Sequence, residues 1–146
     1  MTTSRMTTKA GTPDEVELIG LLPDTRYYYR MQWRMAGGGN QFSITPEYTF
    51  HTQRAKGKPF IFTVEADEHL YDKKGVRSMY EVTLQNQVRD NPDFMLSLGD
   101  TFGDDHTPEQ TTSADMDALH KDYLQYLDTL CHSVPFFFCL GNHEGE

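Results

Sequence analysis

Cysteine is scarce: Cys131 and Cys139 are the two in 146 residues. They cannot build a disulfide framework, and neither stands in a Cys-x-x-Cys or Cys/His zinc spacing. Both read as buried thiols. Positive charge is also short, with 13 Lys plus Arg against 22 Asp plus Glu, a net charge of −9 and no extended basic cluster. Attraction to a phosphate backbone therefore does not explain this chain, and a nucleic-acid partner is not expected. No long apolar run is present. The longest, Val134 to Leu140, is seven residues, whereas a bilayer-spanning helix takes about 20, so no membrane partner is expected either. The opening residues Met1 to Thr8 are polar and lack the apolar stretch of a secretory signal. Any export signal would have to lie outside this sequence. There is no internal repeat, and the Gly37-Gly38-Gly39 tract reads as a loop.

What is present is enough apolar material for a core. Hydrophobic residues make up 37% and aromatic residues 12%, above the low-hydrophobicity signature of disorder. The length allows one domain or parts of two. From Val16 to Thr52 the pattern has period 2. Tyr27, Tyr29, Met31 and Trp33 fall on one side and Tyr28, Arg30, Gln32 and Arg34 on the other, which predicts a half-buried antiparallel strand. Val16 to Ile19 reads as a shorter strand before the Pro23-Asp24 turn, and Tyr48 to Thr52 as a third. A basic linker, Arg54 to Lys58, follows.

After the linker the pattern changes. Pro59 to Val64 is a nearly continuous apolar run, suited to a strand buried on both faces. Val76, Tyr80, Leu84 and Val88 recur every four residues and predict a helix ending before Asn91-Pro92. Asp93 to Leu98 is a second strand. A polar loop from Thr101 to Ala114 leads to a helix with Met116, Leu119, Tyr123, Tyr126, Leu127 and Leu130 on one face. Val134 to Leu140 is a third strand, with Phe136 to Phe138 in the core. The order βαβαβ implies a parallel sheet with right-handed crossovers, its first strand between or beside the other two. The fold class is thus α/β, preceded by a partial antiparallel β segment, with the division at 1–53 and 54–146.

Ligand sites in open parallel sheets lie beyond the carboxyl ends of the strands. Here the first strand runs into Asp67 and His69, the second into Asp100, and the third into Asn142 and His143. Neighbouring strands lie about 4.7–4.9 Å apart, so these side chains can converge on one or two cations. Carboxylate, amide and imidazole donors together suit Mn, Fe or Zn better than Ca or Mg. The bland alternative is that these polar residues merely cap strands and open turns, but it requires three ordered coincidences.

Asp67-Glu68-His69, Gly99-Asp100 and Gly141-Asn142-His143-Glu144, each after a strand, resemble the motifs of the calcineurin-like metallophosphoesterases. The resemblance implies two divalent or trivalent metal ions (Fe, Mn or Zn), with Asp67 and His69 on the first, Asp100 bridging both and Asn142 on the second. It implies hydrolysis of a small phosphate ester, preferably a monoester, by a metal-bridging hydroxide. His143 would be the catalytic residue beside the leaving group, its imidazole oriented by Glu144 or Asp104. Leu22-Pro23-Asp24-Thr25-Arg26-Tyr27-Tyr28-Tyr29 looks like the corner of a fibronectin type III-like sandwich. That module followed by this site is similar to the purple acid phosphatases and suggests a secreted or periplasmic setting.

The purple enzymes carry a metal-binding Tyr three residues after the bridging Asp, where this chain has Gly103, and their first motif lacks the His found here as His69. Their charge-transfer colour is therefore not expected. The family also draws a further His and a Gly-His-x-His motif from a second half of the domain. His51, His106, His120 and His132 sit in no such context, so the chain is expected to be the front half of the catalytic domain. His120 and His132 read as surface or helix-end residues. A non-catalytic scaffold is the alternative function. Asp104, Asp105 and His106 read as a solvated acidic loop rather than a flap, and Asp104 and Asp105 lack the alternating ligands of an EF-hand.

Overall fold

A computed structural model describes residues 2–103 and 109–144. Its elements are β1 (Arg26–Tyr29), β2 (Gln32–Trp33), β3 (Ser43–Ile44), β4 (Tyr48–His51), β5 (Phe62–Glu65), α1 (Arg77–Asp90), β6 (Phe94–Ser97), α2 (Ser113–Leu127) and β7 (Phe136–Phe138). The second part is the α/β unit expected from the periodicity: β5, β6 and β7 form one parallel sheet in that order.

Both crossover helices cover one face of this sheet. Met95 of β6 and Phe136 and Phe138 of β7 meet Tyr80 and Leu84 of α1 and Tyr123 and Tyr126 of α2 in a core that also takes in Leu70, Phe102, Leu130 and Val134. The alternate residues of the strands point the other way, as the pleat requires. On that face Phe60, Phe62, Phe94 and Phe137 form an aromatic strip, with Phe62 and Phe94 stacked at 5.2 Å and Phe94 edge-on to Phe137 at 5.9 Å.

This arrangement corrects two expectations. The Pro59 to Val64 run is not buried on both faces: Phe60, Ile61, Phe62 and Val64 are each about half exposed, because β5 is the edge strand and its outward residues lie on the face without helices. Phe137 is exposed for the same reason. The strand enclosed on both sides is β6, where Met95 and Ser97 are fully buried.

The helix ends follow the sequence. Asn91 adopts a left-handed conformation and returns its N–H to the Val88 carbonyl, closing α1 before Pro92. Thr112 and Asp115 form a reciprocal capping box at the start of α2. On α1 the buried face is Tyr80, Leu84 and Gln87, whereas Val76 precedes the helix and, like Val88, is exposed.

The N-terminal part holds two antiparallel pairs, β1 with β4 and β2 with β3. The long strand expected through Trp33 breaks at Arg30 and Met31, and Val16 to Ile19 is not a strand among the described residues. The aromatic face divides accordingly. Tyr27 and Tyr29 are half-buried against Phe50 and Tyr48, while Met31 and Trp33 are exposed because β3, only two residues long, is their neighbouring strand. Tyr27 accepts the Leu22 N–H on its hydroxyl at 2.8 Å, tying the corner before β1.

This part is fastened to the α/β unit at the turn between α2 and β7. Tyr29 donates its hydroxyl to the His132 carbonyl at 2.5 Å, the Thr49 N–H reaches Ser133 Oγ at 3.2 Å, and Tyr48 stacks on the His132 ring at 4.3 Å. His132, at the exit of α2, is thus a joint between the parts. Arg54, in the basic linker, is likewise committed, pairing with Asp93 at 2.7 Å.

Candidate metal centre

The carboxyl ends of the strands are stitched together beyond the regular ladder. Asp67 donates its N–H to the Gly99 carbonyl at 3.0 Å, His69 to Asp100 at 3.1 Å and Leu70 to Thr101 at 3.2 Å. The first and second motifs therefore run side by side past the end of the sheet. Asp67 (φ 60°), His69 (φ 46°) and Asp100 (φ 61°) are three of the five non-glycine residues with left-handed backbone among those described. Such conformations cost of order 1–3 kcal/mol each and persist where the surroundings impose them, commonly at functional sites.

These bends bring His69, Asp100 and His143 together. Each offers a ligand atom, and the three atoms lie within 4.8 Å of one another. Asp67, two-thirds exposed, stands at the rim with Oδ1 3.8 Å from His69 Nε2. Asn142 is exposed in the turn that leads into His143. The His143 N–H donates to Asp100 Oδ1 at 2.8 Å, and its ring lies edge-on to that of His69 with centroids 5.2 Å apart. A Cβ at Gly141 would run into the Asp100 carboxylate, so this contact between the second and third motifs requires glycine. A Cβ at Gly103 would stand 3.0 Å from that of His143, so any side chain there would require the His143 turn to give way.

The donors fit a borderline cation. The His69 imidazole and the Asp100 carboxylate come together beside the His143 ring, a nitrogen and oxygen pair that suits Zn, Mn or Fe. His69 presents Nε2 to the cluster because its Nδ1 is 2.7 Å from Asp72 Oδ2. Burial favours the neutral form of Asp72, but the N–H groups of Lys74 and Gly75 and the His69 ring outweigh it and hold the carboxyl below its ordinary value. Asp72 was not among the candidates read from the sequence. The available signal was an Asp-Lys-Lys-Gly turn three residues after His69.

Glu144 takes a different place from the one expected beside the His143 ring. Its Oε2 accepts the N–H groups of Asp100, at 2.9 Å, and Gly141, while Oε1 accepts that of Thr101 at 2.6 Å. The carboxylate thereby fills an anion nest made by successive backbone amides after β6. Asp104, Asp105 and His106 lie outside the described residues.

Behind Asp67 and His69 is a polar network that sequence reasoning missed. Glu65 accepts the Tyr80 hydroxyl at 2.7 Å and the Gln87 amide at 2.7 Å, and Tyr80 meets the Tyr123 hydroxyl at 2.8 Å. Burial first, then the Glu68 carboxylate, pushes Glu65 up to about 8. Burial also raises the Tyr80 and Tyr123 hydroxyls, so the network is held protonated at neutral pH. Glu68 in turn accepts the Thr101 hydroxyl at 2.7 Å, joining the first motif to the second.

A family model of the calcineurin-like phosphoesterases matches residues 61–146, more than half of the chain and all three motifs. The chain belongs to the calcineurin-like phosphoesterase family. No curated protein matches it. Among solved structures it is similar to the purple acid phosphatase PPD1 from yellow lupin (Lupinus luteus) seeds, at a TM-score of 0.57 and 16% identity over 85% of this chain. That likeness concerns the fold, and this chain spans 22% of the lupin chain.

Proposed function

We propose that this calcineurin-like unit hydrolyses phosphate esters, phosphomonoesters in preference to diesters, with Asp67, His69, Asp100 and Asn142 as metal ligands and His143 as the catalytic residue. The observation that carries the reading is the convergence of His69, Asp100 and His143 from three successive strand ends. Bound metal would supply a nucleophilic hydroxide at neutral pH and neutralise charge on the phosphoryl oxygens.

The residues of the chain divide the remaining work. His69 offers Nε2, fixed by its contact with Asp72. Asp100 has one carboxylate oxygen tied to the His143 amide, and in a dinuclear site its carboxylate would span both cations. His143, carried on the turn after β7, would hold a proton for the departing alkoxide. The division at 1–53 and 54–146 belongs to the same proposal, the first part being a fibronectin type III-like segment supported by the Tyr27 to Leu22 corner bond.

The test uses the natural protein in which this chain occurs, assayed on aryl phosphates of graded leaving-group pKa with added manganese or zinc. Asp100→Ala is expected to remove bound metal and most turnover. His143→Ala is expected to keep metal and to slow chiefly the poor leaving groups. Equal losses for good and poor leaving groups would overturn the acid role of His143. Full metal content in Asp100→Ala would overturn the site.

A further inference from the structure

Asp72 belongs to none of the three motifs, yet its carboxylate is nearly enclosed beside the site. Its side chain is 4% exposed, against 13% for His69 and 68% for Asp67. Both oxygens are engaged. Oδ1 accepts the backbone N–H groups of Lys74 at 2.6 Å and Gly75 at 3.2 Å, and Oδ2 lies 2.7 Å from His69 Nδ1. The turn closes directly against the carbonyl of His69, where a Cβ at Gly75 would collide with it.

We propose that Asp72 is the positioning residue that fixes the tautomer of His69, so that Nδ1 carries the proton and Nε2 presents its lone pair to the cation site. The inference rests on the metal-site reading above. Its logic is local. Amide donors fix Oδ1 as an acceptor, and the second oxygen of the same carboxylate accepts as well, so the ring nitrogen facing it must donate. In a neutral imidazole one nitrogen donates and the other accepts, and the partner of one decides the role of the other. Metal-bound histidines are commonly held in this way, and losing such a partner typically weakens metal affinity 10–100-fold.

Asp72→Asn is the informative variant. Asparagine keeps one oxygen, which the Lys74 and Gly75 amides require. Its NH2 group then faces His69 Nδ1 and demands an acceptor there, moving the ring proton to Nε2 and aiming an N–H at the cation.

The experiment compares the metal-free wild type and Asp72→Asn by 15N NMR of the histidine rings at a pH where His69 is neutral, then titrates each with zinc alone by calorimetry. His69→Gln sets the floor for zinc affinity, and the amide spectrum shows whether the fold is kept. The expected result is a protonated Nδ1 in the wild type, a protonated Nε2 in the variant and a loss of zinc affinity of about 10–100-fold. An unchanged tautomer overturns the proposal. So does a reversed tautomer with unchanged zinc affinity while His69→Gln weakens binding. If Asp72→Asn does not fold, Asp72→Glu, which keeps two acceptor oxygens, must retain the protonated Nδ1, and any other tautomer in it overturns the proposal. A wild type that binds no zinc would overturn the metal-site reading instead, and the tautomer comparison would still decide whether Asp72 orients the ring.

Discussion

The Glu144 carboxylate holds Asp100 by the backbone, accepting its N–H at 2.9 Å on the oxygen that also takes the Gly141 amide. The third motif thus builds the second. The left-handed turn at Gly99 and Asp100 points successive amides in one direction, and without an anion they would be left without their acceptor. Glu144→Ala is therefore expected to lower stability by roughly 2 kcal/mol, the cost of stranding hydrogen-bond donors. Glu144→Gln should lose less, since one oxygen remains. Urea unfolding midpoints of the two variants check the order, and an alanine variant as stable as the wild type would contradict it.

Gly141→Ala is expected to disturb both the site and the backbone that carries it. The added methyl would meet the Asp100 carboxylate and stand 2.6 Å from the Asp100 backbone nitrogen, so the second and third motifs must move apart. Zinc affinity should fall at least tenfold, as for the loss of one oriented ligand, and the urea midpoint should fall with it. Retained affinity would show that Asp100 is not placed by this contact.

The two thiols should differ sharply. Burial pushes Cys131 up to about 12, whereas Cys139 is exposed just after β7. Since the thiolate is the reactive form, an aromatic disulfide reagent is expected to modify Cys139 in the folded protein and Cys131 only with denaturant. Equal rates would place Cys131 in solvent.

Much of this architecture was readable from residues alone because it rests on local rules. The apolar runs ending in Gly99-Asp100 and Gly141-Asn142-His143 announce strands with polar exits, and Asn91-Pro92 announces the end of α1. What escaped depends on contacts between distant segments. Nothing in Phe60-Ile61-Phe62 distinguishes an edge strand from an enclosed one; that depends on which strand lands in the middle, here β6. Nothing in the sequence marks Glu65 and Gln87 as partners, but Thr63 and Tyr80 join them into one buried network. His132 and Arg54 gain their partners from segments 84 and 39 positions away, counting Tyr48 to His132 and Arg54 to Asp93. Asp72 was the nearest miss, since a turn-forming Asp close after a candidate ligand is visible in one dimension, whereas its 2.7 Å approach to the ring is not.

Glu65 gives the protein a pH dependence of definite sign. Its carboxyl titrates at about 8 in the folded state against 4.5 when unconstrained, because burial and the neighbouring Glu68 disfavour its charge. The folded state therefore binds this proton more tightly than the unfolded state does. The stabilisation is fully present below pH 4.5 and is lost as pH rises from there to about 8, at up to about 1.4 kcal/mol per pH unit. Asp72 acts in the opposite direction: its lowered value contributes stability above its unconstrained 3.8 that disappears as pH falls below it. Metal-free protein is thus expected to show its Glu65-dependent loss between pH 4.5 and about 8, the window set by the two values of that carboxyl. Glu65→Gln, which keeps an oxygen for the Tyr80 hydroxyl and removes the titration, should flatten the profile there. Chemical unfolding of both proteins at half-unit intervals measures it. A variant whose stability falls as steeply as the wild type over that range would show that the Glu65 proton is not what the fold retains.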